Sequence, residues 1–173
     1  LGVACEHCHE TPARMDRAQR MVRMRDGLSR GTLQPLGGVT CWTCHRGKAK
    51  PARVPRSSWM DIVQKWPGPA MDEATLAKPA KEVFRNLQVL DGDSPASLIR
   101  MSMSIYSASL GVACDHCHVP GKWDADDKPA KQTARTMLRM FGELPGFFVK
   151  DASPTFQCFT CHQGAAKPQR SPA

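Results

Sequence analysis

The sequence predicts a mainly α-helical chain with much irregular loop, organised as a duplicated module. Two observations carry that prediction. The first is repetition. LGVACEHCH at 1–9 matches LGVACDHCH at 110–118 in all but one position, and CWTCHRGKAKP at 41–51 returns as CFTCHQGAAKP at 158–168. The second is helical spacing between the paired motifs. PARMDRAQRMVRM (12–24) and PAKQTARTMLRM (129–140) each open on proline and carry methionines three apart. The second copy is longer, and its extra residues fall in VPGKWDADDK, read as a loop.

In chain order, Thr11 and Pro12 read as N-cap and first helical residue. That helix should run to about Leu28 and stop near Gly27 or Gly31, with Met21, Met24 and Leu28 on one face. Residues 46–79 are rich in Pro, Lys and Arg, interrupted by a short amphipathic piece, Trp59–Trp66. KPAKEVFRNLQVL at 78–90 reads as a helix with Val83, Phe84 and Leu87 inward. Asp93 or Ser94 should cap another helix, with Pro95 in its first turn, running to Leu110 and halted by Gly111. Pro129 opens the next, which Gly142 and Pro145 end. The chain thus divides into a first module at 1–50, a Pro/Lys-rich connector with short helices at 51–93, and a second module at 94–173.

All eight cysteines stand in four Cys-x-x-Cys-His units: Cys5-Cys8-His9, Cys41-Cys44-His45, Cys114-Cys117-His118 and Cys158-Cys161-His162. Two thiols at that spacing form thioethers to one porphyrin, and the next histidine reaches the iron. Zinc ribbons and disulfide frameworks also use paired cysteines, but neither needs a histidine after every second one. The expectation is four covalently bound c-type haems, each module holding two. Aromatics are 6% of the chain and Tyr occurs once, so the haems themselves should form the core. Haem propionates offset the formal charge of +8, which removes the force of a nucleic-acid reading. No stretch is long and apolar enough to cross a bilayer, and covalent haem attachment implies an exported, periplasmic or extracellular protein.

Each low-spin haem needs a ligand opposite its histidine. Only His7 and His116 stand outside the proximal positions, while nine methionines are available, so methionine should serve most sites. On the helix before Cys114, Met101 and Met103 lie about 200° apart, and spacing alone does not choose between them.

SLGVACDHCH at 109–118, ARTMLRM at 134–140 and CFTCHQGAAKP at 158–168, with their copies at 1–9, 18–24 and 41–51, resemble the tetrahaem cytochrome subunit of photosynthetic reaction centres and its relatives. The resemblance implies Met103 as distal ligand of the Cys114 haem and Met137 of the Cys158 haem; by the repeat, Met21 serves the Cys41 haem. Met24, Met101 and Met140 are then packing residues. The first haem has no preceding helix. Met60 or Met71 folding back, an open iron, or a ligand from a neighbouring subunit would each complete it.

The function expected is electron transfer along closely spaced haems, with redox proteins as partners and no substrate chemically changed. The missing first helix suggests self-assembly as the repeating subunit of an extracellular cytochrome filament. The alternatives are an electron donor to a photosynthetic reaction centre or another membrane complex, and a multihaem enzyme with an open first haem.

Overall fold

A computed structural model describes residues 1–148 and 155–172. Residues 149–154 and 173, part of the expected 94–173 module, lie outside the described residues. Among those described, the backbone is helical or irregular, and the only extended pairings are the isolated bridges Pro79–Pro95 and Val119–Lys122. The helices are α1 (Glu6–His9), α2 (Pro12–Arg30), α3 (Cys41–His45), α4 (Trp59–Lys65), α5 (Glu73–Ala77), α6 (Ala80–Val83), α7 (Ala96–Leu110), α8 (Pro129–Glu143) and α9 (Cys158–His162). They fall into two compact units, residues 1–53, 136–162 and 168–173 in one, and 54–135 and 163–167 in the other.

In the first unit α2 begins as its sequence dictates. Thr11 accepts a hydrogen bond from the Arg14 N–H and Pro12 occupies the first turn. It ends at Gly31, whose N–H bonds the Gly27 carbonyl. The inward face delivers Met24 and Leu28 to a cluster with Leu33 and Leu144, and Met21, Met137, Met140 and Phe147 pack around it. Gly27 makes room for this packing: a Cβ there would lie 2.8 Å from the Phe147 ring. The short helices α3 and α9 pack on each other.

In the second unit α7 packs against α4, α5 and α6. The expected helix over 78–90 survives only as the single turn α6. The Ala80 N–H bonds the Ser94 carbonyl and the Lys81 N–H the Gly92 carbonyl, which anchors the first turn of α6 beside the Pro79–Pro95 bridge through donors that have no acceptor within the helix. Phe84 is extended and Asn86 is left-handed, φ 64°. Ala80 and Ala96 are fully buried at this junction. Ser94 does not cap α7; its hydroxyl bonds Asp91, and Pro95 stands at the cap position with no side-chain bond. Gly111 ends α7 at φ 65° as expected.

Few apolar side chains are buried. Among the described residues these are Met24, Leu28, Leu33, Ala80, Ala96, Ile99 and Leu144, two of them alanine.

Candidate haem sites

The four Cys-x-x-Cys-His units adopt local helical geometry, which turns both sulfurs and the histidine to one side. Cys41–His45 and Cys158–His162 are complete short helices, α3 and α9. Cys114–His116 forms a 3₁₀ turn, and Glu6–His9 forms α1 directly after Cys5. Thr40 and Thr43 make a reciprocal capping box at the start of α3. The corresponding Thr160 accepts from the Gln157 N–H at 3.1 Å in α9. Both inner threonines, Thr43 and Thr160, are buried. The cysteine spacing does not single them out; the Thr shared by CWTCH and CFTCH is the signal the sequence carries.

The four histidines expected as proximal ligands differ in surroundings. His9 is exposed, His45 and His118 are half-buried, and His162 is buried. After His45 the chain turns through Arg46 (φ 47°) and Gly47 (φ 77°), which brings the Lys48 carbonyl 3.0 Å from His45 Nδ1. Gln163 (φ 49°) and Gly164 (φ 82°) repeat that backbone after His162. His118 Nδ1 lies 2.8 Å from the Trp123 carbonyl, and the two rings are 5.9 Å apart. Burial, helped by the cations Lys131, Arg135 and Lys128, pushes the His118 pKa down against the opposing hydrogen bond to Trp123, and because a carbonyl can only accept, Nδ1 carries the proton.

The VPGKWDADDK segment, expected as a plain loop, is the scaffold of that histidine. Lys131 sends its ammonium to the carbonyls of Trp123 (3.0 Å) and Ala125 (2.8 Å) and to Asp126 (3.3 Å). Arg135 reaches Asp126 at 2.9 Å, and Asn86 bonds both Asp126 and the Asp124 carbonyl. The Arg135 guanidinium beside Asp126, with Lys131 and Asn86, lowers its carboxyl to about 2. Three aspartates in a loop facing a helix with Lys and Arg four apart were the sequence signal for this network.

The predicted distal ligands lie on long helices: Met21 on α2, Met103 on α7 and Met137 on α8, all partly buried. Met21 and Met137 pack on the cluster that contains Met24. Met60, a candidate for the first haem, is 61% exposed, and His7 and His116 are exposed. Cys44 and Cys161, each expected to hold a porphyrin, are joined to each other across the α3–α9 contact, with Cα atoms 4.3 Å apart. A sulfur in that bond is not available for a thioether. The other six cysteines are free, and burial pushes the Cys117 and Cys158 thiols up.

The chain's polar groups fit a haem. Arg25 Nε, Trp42 Nε1, Arg100 Nε and Arg135 Nη1 are buried donors with no partner among the described residues, the kind of group a propionate satisfies. Among the described residues no three His, Cys, Asp or Glu side chains converge as a bare-ion centre would require.

Known proteins extend this reading. The family model for the photosynthetic reaction centre cytochrome C subunit matches residues 64–171. The chain is 27% identical to the photosynthetic reaction center cytochrome c subunit of Rubrivivax gelatinosus over 95% of its own length and 58% of that protein's. It is 32% identical to the subunit of that name in Thermochromatium tepidum over 52% of its own length and 23% of that protein's. Cytochrome c-554 of Chloroflexus aurantiacus is 33% identical over 64% of this chain and 27% of its own. The chain therefore spans little more than half of one of these relatives and about a quarter of the other two. The match over more than half the chain, on residues that carry two of the four haem motifs, places the chain in the family of photosynthetic reaction centre cytochrome c subunits.

Proposed function

We propose that this chain is a multihaem c-type cytochrome that delivers electrons to a membrane complex, most directly a photosynthetic reaction centre. The observation that carries the reading is the arrangement of His45 and His118. Each stands at the end of a Cys-x-x-Cys pair, gives Nδ1 to a backbone carbonyl and keeps Nε2 for iron. Cys5, Cys8, Cys41, Cys114, Cys117 and Cys158 would form thioethers as free thiols, and Cys44 and Cys161 would join them only once the bond between them is opened; His9, His45, His118 and His162 would be proximal ligands and Met21, Met103 and Met137 distal ones. A haem so held supplies one-electron transfer, and methionine opposite histidine favours its ferrous state. The protein's residues set burial, ligand orientation and propionate partners. The repeated backbone, with Gly2 and Gly111 at φ 61° and 65° and Gly47 and Gly164 at φ 77° and 82°, supports two equivalent dihaem modules.

The names of the relatives favour the donor reading over a filament subunit. No helix among the described residues is long and apolar enough to cross a membrane, and an exported protein is the setting in which these haems are attached.

Intact-mass measurement of the mature protein tests the cofactor. Four haem increments and no disulfide are expected. Two increments with Cys44 still bonded to Cys161 would restrict haem to the first and third motifs. Flash kinetics then test the partner. The reduced protein is expected to re-reduce a photo-oxidised reaction centre, faster at low salt, and a protein that stays reduced would exclude that donor role.

A further inference from the structure

We propose that Lys131 weakens the electron-donating power of His118 through the carbonyl they share, and thereby raises the reduction potential of the haem at Cys114–Cys117. The inference rests on the haem reading above. A proximal imidazole that donates Nδ1–H to a strong acceptor gains imidazolate character, becomes a more basic ligand and favours ferric iron. The acceptor here, Trp123 O at 2.8 Å, does not serve His118 alone. The buried ammonium of Lys131 bonds the same oxygen at 3.0 Å. A carbonyl has two lone pairs, and a cation on one draws density from the other. His118 is left with a poorer acceptor and stays closer to a neutral imidazole.

The placement is built rather than incidental. All three Lys131 donors are used, on Trp123 O, Ala125 O and Asp126, and Asp126 is in turn held by Arg135 and Asn86. The residue is 9% exposed, a costly position for an ammonium without such partners. His45 offers the contrast. Its acceptor, Lys48 O at 3.0 Å, takes no second side-chain donor among the described residues. Lys131 is thus a positioning residue that acts through Trp123, and the extra segment 119–128 brings that carbonyl to both partners.

The test uses holoprotein labelled with ¹⁵N-histidine, in Lys131→Met and Lys131→Gln variants. Met removes both charge and donor; Gln keeps a neutral N–H donor. In Lys131→Met the ferric-to-ferrous ratio at the Cys114 haem, at fixed ambient potential, should rise several-fold while the other haems hold. In the ferrous protein the His118 Nδ1–H proton should move downfield, toward a stronger hydrogen bond. Lys131→Gln should show both effects at smaller size. An unmoved His118 signal, or equal potential shifts in the two variants, overturns the proposal in favour of plain charge. If the Met variant fails to assemble, the Gln signal alone decides. A peptide map with no haem on Cys114 and Cys117 in the unsubstituted protein would instead remove the haem reading itself.

Discussion

Asp126 gathers three partners, Arg135, Lys131 and Asn86, and its carboxyl titrates near 2 rather than at the ordinary 3.8. A depressed folded-state pKa gives a contribution to stability that is complete above the unfolded value and is lost as pH falls toward the folded one. The clamp on His118 should therefore hold at pH 5 and loosen between about pH 4 and 2. Thermal melts across that range should show a steeper acid limb for the native protein than for Asp126→Asn. Thr40 offers a second check. It caps α3 through the Thr43 N–H, and Thr40→Ala should cost about 1 kcal/mol in a urea titration. At this scale the four Cys-x-x-Cys-His units are legible in the sequence because they share one spacing. The clamp is not. Lys131 and Trp123 are eight residues apart, and their meeting depends on a backbone path that periodicity does not encode.

Helices bounded by strong local signals follow the sequence closely. Thr11–Pro12 starts α2 and Gly31 ends it; Pro129 starts α8, and Gly111 ends α7. The segment 78–90 stops being helical after Val83, where Phe84 is extended and Asn86 left-handed, a backbone path that its apolar spacing does not reveal. The left-handed glycines carry a sharper constraint. A Cβ on Gly111 would collide with the Gly164 carbonyl, and one on Gly2 with the Gly47 carbonyl. Beyond the collision, a non-glycine residue in that conformation costs roughly 1–2 kcal/mol. Gly111→Ala should lower the thermal midpoint and the haem content of the Cys114 site, read by melting and by peptide mass. Gly121→Ala is the control: it too has a positive φ, 78°, but nothing lies within 4 Å of its Cβ, so its loss should be smaller.

The whole molecule is thin in polypeptide core. Seven apolar residues are buried among those described, against a chain of 173. Met24→Ala, in the cluster with Leu28, Leu33 and Leu144, should cost about 2–5 kcal/mol, a large share of what a domain of this size has to lose. Composition foretold the shortage, since aromatics are 6% of the sequence, and the helical class followed from caps and spacing. The contact of α3 with α9, and the Cys44–Cys161 bond at it, had no sequence signal, because four motifs of one spacing do not say which copy meets which. Chain prepared without haem should lose most far-UV helical signal and cooperative melting, and regain both on attachment.

That scarcity of buried side chains also bears on the life of the protein in a cell. A polypeptide that closes only around its cofactor is protected from proteolysis in proportion to the cofactor it has received. Unfilled chains would be degraded and filled ones would persist. The amount of mature protein would then follow the supply of haem and of the enzymes that attach it more closely than the rate of translation, so that the fold itself acts as the inspection step for its own maturation.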